Sequence, residues 1–287
     1  MKKNALSVVL AVFNEELVLE DCLKSVQDFA DEIIIVDGGS TDRTIEIGKK
    51  YNAKVQVTDN PPIFHINKQK ALELATGDWI LQLDADERVT LELRKQIENV
   101  LNDEEINLTK NQDKLFKRHQ QMIEKRDGAI GTQDGDVVAY FIPRLNYFLG
   151  GYLRHGGVYP DGVIRLVKKG KAHFPCQDVH EQMQVNGKVS WLSENLIHMG
   201  DPTFQRYIER SNRYTSLTAT ELSNSNIPRN LFSLLTYVVY KPFTTWFQLF
   251  IRHKGFLDGF PGFVFALFSG LHFSTAYLKY LESSHAQ

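Results

Sequence analysis

Over the first hundred residues the apolar positions switch repeatedly between a strand pattern and a helix pattern. Leu6–Val12 is a short, β-branched run without a charge, as expected of a strand buried on both faces of a parallel sheet. Across 15–29, Leu17, Leu19, Cys22, Leu23 and Val26 recur roughly at helical spacing. Ile33-Ile34-Ile35-Val36 reads as a second buried strand that stops at Asp37-Gly38-Gly39. Ser40, Thr41 or Asp42 can then cap a helix running to about Tyr51. Lys54–Val57 reads as a third strand and 66–75 as a third helix closed by Gly77. Trp79–Leu83 is a fourth strand, ending at Asp84-Ala85-Asp86-Glu87. Strand–helix–strand repetition with short connections predicts an α/β fold: a doubly wound, mostly parallel central sheet flanked by helices.

After a helix at Leu91–Leu101 the pattern breaks. Residues 102–136 hold eight acidic and six basic residues with few apolar anchors, which predicts a solvated helical excursion or a mobile insertion. Patterning resumes with a strand at 137–143, then an aromatic, glycine-rich stretch at 147–159. Further strands are predicted at 163–167 and 185–192, and an amphipathic helix at 203–222. The expected organisation is a catalytic domain over 1–202, with 102–136 as a charged insertion, and C-terminal amphipathic helices over 203–287.

Composition removes several classes. With 43% hydrophobic and 24% charged residues the chain is neither disordered nor fibrous. Its 33 Lys+Arg against 35 Asp+Glu give no basic field suited to nucleic acid. Cys22 and Cys176 are far apart and lack CxxC spacing, which fits a reducing, cytoplasmic compartment better than a disulfide framework or a zinc site. The opening MKKNALSVVLAVFNEE looks superficially like a signal peptide, but its apolar run is short and ends in Asn14-Glu15-Glu16, so a first buried strand is expected. One imbalance stands out: ten of the 18 phenylalanines lie beyond residue 229.

In an open α/β sheet, ligands bind beyond the carboxyl ends of the strands. Asn14-Glu15, Asp37 and the Asp84/Asp86 pair occupy such ends. Asp37 precedes two glycines that let the backbone approach a ligand, and its carboxylate can accept from a base N–H or a ribose hydroxyl; as a helix cap or turn former it would need no ligand at all. There is no GxGxxG and no GxxxxGK[ST], so dehydrogenase and P-loop readings fall. Two carboxylates one residue apart, past a buried strand, can hold one hard divalent cation such as Mg²⁺ or Mn²⁺, which shares its other positions with phosphate oxygens.

These residues carry a resemblance. SVVLAVFNEE, EIIIVDGGSTDRT and KQKALELATGDWILQLDADE resemble the inverting family-2 glycosyltransferases of the GT-A fold. YFIPRLNYFLGGYLRHGGVYPDGVIRL, DVHEQM and LIHMGD resemble the bacterial branch typified by lipopolysaccharide inner-core β-1,4-glucosyltransferases. The resemblance implies that Val12, Asn14, Glu15 and Asp37 bind the nucleoside and that Lys70 faces the diphosphate. Asp84 and Asp86 would form the metal motif, with Asp86 the more direct ligand. An inverting transfer needs a general base for the acceptor hydroxyl, and the resemblance implies Glu181, with His180 where many relatives carry an acid. His198 is either a further metal or diphosphate contact or a satisfied core histidine. Arg154, Asp161 and Arg165 are assigned to the surroundings of the donor sugar and acceptor, although Asp161 and Arg165 could instead pair with one another.

The expected reaction is metal-dependent transfer from a nucleotide sugar, UDP-glucose or similar, to a hydroxyl of a lipopolysaccharide core or other surface glycolipid. Alternatives are transfer to polyprenyl phosphate and a non-catalytic nucleotide-sugar-binding scaffold. Residues 259–278 contain no Asp, Glu, Lys or Arg. The stretch nevertheless holds a proline and three glycines. With basic residues flanking the aromatic tail, it suits the interface of the inner face of a cell membrane better than a span; a helical cap over the sheet or an oligomer interface is the other reading.

Overall fold

The computed structural model describes residues 3–177 and 182–283. It contains two compact units, 1–144 with 160–198 and 145–159 with 199–287, so the chain passes between them at 144/145, 159/160 and 198/199.

In the first unit, strands β1 (Leu6–Val12), β2 (Glu32–Asp37), β3 (Lys54–Val57) and β4 (Trp79–Leu83) lie parallel in the order β3-β2-β1-β4. Helices α1 (Leu19–Lys24), α2 (Thr44–Lys50) and α3 (His65–Leu74) connect them. The first is shorter than the apolar spacing predicts, because the chain turns at Asn14 with φ of 55° and only Leu19–Lys24 is regular helix. The sheet's two faces carry separate cores. Val8, Leu10 and Val12 point into one with Leu81 and Leu83, while Val9 points into the other with Ile34, Val36 and Ile80. This is the period-2 alternation of a strand covered on both faces, and it explains why β1 and β4 read as charge-free, mostly apolar runs. β3 is the exposed edge, with Val57 57% accessible.

β5 (Glu87–Val89) and helices α4 (Leu91–Leu101) and α5 (Lys110–Asp127) precede the long β6 (Thr132–Phe148), whose residues from Leu145 belong to the second unit. After β7 (Gly151–Leu153), β8 (Gly162–Lys168) runs antiparallel to both β4 and β6. The predicted insertion is largely α5. Thr109 and Gln112 form a reciprocal capping box at its start. Phe116, fully buried, stacks on Trp191 with ring centroids 4.5 Å apart, so the helix is anchored although most of its surface is solvated. The strand predicted over 185–192 is two. β9 (Ala172–His173) pairs with β10 (Gln184–Val185), and β11 (Lys188–Trp191) pairs with β6. Gly187 separates them at φ of 145°, where a Cβ would meet Val138 Cγ2 at 2.5 Å. β12 (Leu196–Asp201) pairs His198 with Glu87 of β5.

The second unit starts with a hairpin of the end of β6 and β7, joined through Leu149 and Gly150, both at positive φ as a two-residue hairpin turn demands. Thr203 caps α6 (Phe204–Asn224). A helical rod follows: α7 (Leu231–Leu235), a π turn at Thr236–Tyr240, α8 (Lys241–Trp246) and a second π turn at Phe247–Arg252. A 3₁₀ turn, Gly255–Asp258, leads into α9 (Gly259–Glu282). By length and composition Gly255–Glu282 could cross a membrane. Within this unit α9 packs on α6 through Ala276, Tyr277 and Tyr280 against Ala219 and Leu222. It meets the rod at Gly270, where a Cβ would lie 2.5 Å from the Pro242 carbonyl oxygen.

Candidate active site at the strand ends

Register places the site before any side chain is considered. Val12 at the end of β1 lies opposite Asp37 at the end of β2, and Leu10 opposite Leu83 at the end of β4, so the polar residues that follow these strands share one edge of the sheet. Gly38 N donates to the Val12 carbonyl at 2.9 Å. Asp37 is fully buried. One of its oxygens accepts from the backbone N–H of Gly39 (2.9 Å) and Ser40 (2.7 Å), the other from the Ser40 hydroxyl (2.6 Å). Its carboxylate therefore shapes the 38–40 loop from beneath rather than reaching outward. Asn14 interlocks with the same loop, its side-chain oxygen accepting from Thr41 N (2.8 Å) and its own N–H donating to Ser40 Oγ (2.8 Å). Glu15 N donates to Thr44 Oγ1 at 2.8 Å.

The Asp84–Glu87 turn is more heavily charged than its sequence suggests. Glu87, with no exposed surface, accepts from Asp84 N (3.0 Å) through one oxygen. Its other oxygen takes Arg165 Nη2 at 2.7 Å and faces Arg144 Nη1 at 3.6 Å. Arg165, arriving on β8, also pairs with Asp84 Oδ2 and donates to Gln82 Oε1. The second oxygen of Asp84 meets Lys68 Nζ at 2.5 Å. Burial pushes the Asp84 carboxyl up, but Arg165 and Lys68 outweigh it and hold the group well below the usual carboxylate range. Burial lowers the Lys68 ammonium, against the pull of Asp84. Asp84 is thus ionised and matched by two cations. Asp161 belongs to the same network, gripped by Arg144 Nη2 at 3.0 Å.

Asp86 faces the other way. Its Oδ2 lies 3.4 Å from His198 Nε2. Burial raises its carboxyl, and the histidine more than reverses that. The Asp86 carboxylate oxygen suits a hard divalent metal such as Mn²⁺ or Mg²⁺, and the neighbouring imidazole nitrogen suits a softer divalent transition metal. Asp84 fits only as a neighbour, since both its oxygens are engaged by cations. Among the described residues no group of three or more His, Cys, Asp or Glu is arranged to hold a metal, so water or substrate oxygens would have to supply the remaining ligands.

The expected residues therefore divide. Val12, Asn14, Glu15, Asp37, Asp84, Asp86, Asp161, Arg165 and His198 all belong to the first unit. Lys70, expected at the diphosphate, donates to Thr58 Oγ1 (2.9 Å), and Thr58 N donates to the Asp37 carbonyl (2.8 Å), which ties this lysine through Thr58 to the end of β2. Arg154 lies in the second unit. Glu181 and His180 lie outside the described residues. The segment carrying them is entered past Phe174, which stacks on His65 of α3 at 4.8 Å, and left at Met183, which is buried. Sequence reasoning missed Lys68, Gln82, Glu87 and Arg144. For Glu87 there was a signal, its place directly after Asp84-Ala85-Asp86.

Comparison with known proteins points to one family. Residues 7–149 match the family described as Glycosyl transferase family 2. A glycosyltransferase of Rickettsia typhi is 27% identical over 275 residues, covering 92% of this chain and 82% of that protein. A lipopolysaccharide core biosynthesis glycosyltransferase of Rhizobium meliloti is 25% identical over 281 residues, covering 92% and 87%. Among solved structures, glucosyl-3-phosphoglycerate synthase from Mycobacterium tuberculosis aligns over 79% of this chain and 82% of its own at 17% identity, with a TM-score of 0.43.

Proposed function

The chain belongs to glycosyl transferase family 2 through residues 7–149, and from that premise we propose that it moves a sugar, with inversion, from a nucleotide-sugar donor to a hydroxyl of a lipopolysaccharide-core or similar surface glycolipid. The donor is a UDP-sugar, glucose or a close relative. The observation that carries the reading is the convergence of Asp84, Asp86 and His198 with the Asp37 loop at one sheet edge. Similarity to a lipopolysaccharide core biosynthesis enzyme over most of both chains supports the acceptor class.

In this mechanism the 38–41 loop, held by Asp37 and Asn14, cradles the nucleoside beside Val12 and Glu15. Lys70, next to that loop, and Lys68, at Asp84, supply positive charge toward the diphosphate. Arg165 keeps Asp84 ionised and fixed, and Asp161 and Arg144 complete the wall. Asp86 with His198 would hold Mg²⁺ or Mn²⁺, which neutralises charge developing on the leaving diphosphate. Glu181 takes the acceptor proton as the hydroxyl oxygen bonds to the anomeric carbon. The bond from that carbon to the phosphate oxygen breaks, and nucleoside diphosphate leaves. The protein works at the cytoplasmic face of the membrane, where a lipid-linked acceptor is presented.

A panel of nucleotide sugars, read as nucleoside diphosphate release in the presence and absence of Mg²⁺, Mn²⁺ and chelator, tests the proposal. Metal-dependent release with one donor, lost in Asp86→Asn, is expected. Donor binding without turnover under every condition would refute it.

A further inference from the structure

The rod at 231–252 presents an apolar row with a spacing that its geometry explains. Leu231, Leu235, Val239, Phe243, Phe247 and Ile251 follow one another at four-residue intervals, and all are 42–70% exposed. In an α-helix a four-residue step overshoots a 3.6-residue turn by about 40°, so such a row would wind around the rod. The π turns at Thr236–Tyr240 and Phe247–Arg252 are wider and unwind it again. The result is a straight apolar edge along roughly 30 Å. The opposite side of the rod is occupied: Ser274 Oγ donates to the Tyr237 and Val238 carbonyls, and Pro242 fills the space left by Gly270. Phe256, Leu257 and Phe260 continue the exposed apolar surface past the rod's end.

The charges along this stretch have one sign. No Asp or Glu occurs between Glu221 and Asp258, whereas Lys241, Arg252 and Lys254 do. Among the described residues no carboxylate pairs with Arg252 or Lys254, both exposed. Asp258 is turned inward, its side chain 3% exposed. It accepts from the backbone N–H of Arg154 (3.0 Å) and His155 (2.8 Å) and meets His155 Nδ1 at 2.7 Å. The surface offered to a partner is therefore apolar and cationic.

We propose that this face of the second unit lies on an anionic phospholipid surface, the 231–251 row entering the boundary between headgroups and acyl chains while Arg252 and Lys254 meet lipid phosphates. This inference rests on the membrane-peripheral reading above and specifies the contact and the lipid. A second copy of the chain is disfavoured as the occupant because like charges would then be apposed. An edge apolar on one side and packed on the other suits a helix lying in the interface plane.

Flotation of the full chain with phosphatidylcholine vesicles, with and without phosphatidylglycerol, tests this. Wild type should float with the anionic vesicles. Phe243→Glu with Phe247→Glu should abolish flotation on both compositions. Arg252→Glu with Lys254→Glu should weaken binding to the anionic vesicles by roughly tenfold or more, leaving binding to phosphatidylcholine alone unchanged. Leu91→Glu, an exposed change in the first unit, should float like wild type, and all variants should keep the wild-type melting temperature and nucleoside diphosphate release from a soluble donor. If wild type floats and the Phe243/Phe247 variant floats equally well, this inference fails while the peripheral reading stands. If wild type floats on no vesicle, the peripheral reading itself falls. A wild-type dimer by light scattering that the same variant dissociates would overturn the lipid in favour of a second copy.

Discussion

Asp84 and Asp86 differ by one position in sequence, but their replacements should behave differently. Asp84→Asn leaves Lys68 and Arg165 facing a neutral group in a buried setting, and breaking such a network costs about 3–5 kcal/mol; the urea midpoint should drop accordingly. Asp86→Asn removes a carboxylate whose partner is a histidine, so its stability loss should be about 1 kcal/mol, while metal-dependent turnover falls by roughly 10²–10³-fold. A third carboxylate gives a pH test. Glu32 accepts from Ser7 Oγ (2.5 Å), Thr76 N (2.6 Å) and Thr76 Oγ1 (2.7 Å) and pairs with Lys54 (2.6 Å). Burial raises its carboxyl, but Lys54, Ser7 and Thr76 together bring it down to about 2 from 4.5. A depressed carboxyl stabilises the fold in full above the unfolded value and ceases to do so as pH falls through the folded one. The stability gap between wild type and Glu32→Gln should thus be widest near neutrality, shrink below pH 4.5 and close near pH 2 in urea titrations. At this scale the sequence was readable where chemistry is local, as with Asp84-Ala85-Asp86. It was opaque where partners come from afar: Arg165 lies 81 residues beyond Asp84. The two lysines of α3 reach different partners. Two positions on a helix are about 200° apart, so Lys68 turns to Asp84 while Lys70 turns to Thr58.

Strands were the most legible elements. β1 and β4 are free of charged residues because both faces are covered, and a charge-free, mostly apolar run reports that directly. α5 was less legible, since most of its residues are polar and only Phe116 and Ile123 are buried. Those two decide its fate. Phe116→Ala should cost about 3–5 kcal/mol through the lost stack on Trp191, which stacks in turn on Phe141 at 4.6 Å. Hydrogen exchange across Lys110–Asp127 should then rise to the level of an exposed loop. The break at Gly187 could not be read from hydropathy, because it arises from the closeness of Val138, a contact between distant strands.

For the molecule as a whole, a net charge of −2 conceals an uneven distribution: beyond residue 229 only two acidic residues, Asp258 and Glu282, stand against Lys241, Arg252, Lys254 and Lys279. Averages over the chain cannot reveal that, nor that Asp258 is hidden. Binding to anionic vesicles should accordingly weaken as salt shortens the screening length from about 30 Å at 0.01 M to about 8 Å at 0.15 M, whereas any partition into neutral vesicles should not follow salt. Flotation across a salt series reads both. The three crossings of the chain between its compact units have a separate consequence for descent. Because 145–159 is encoded in the middle of the gene yet folds with the tail, no single recombination breakpoint can exchange the second unit whole. A hybrid joined near residue 199 would bring one lineage's tail against another lineage's hairpin.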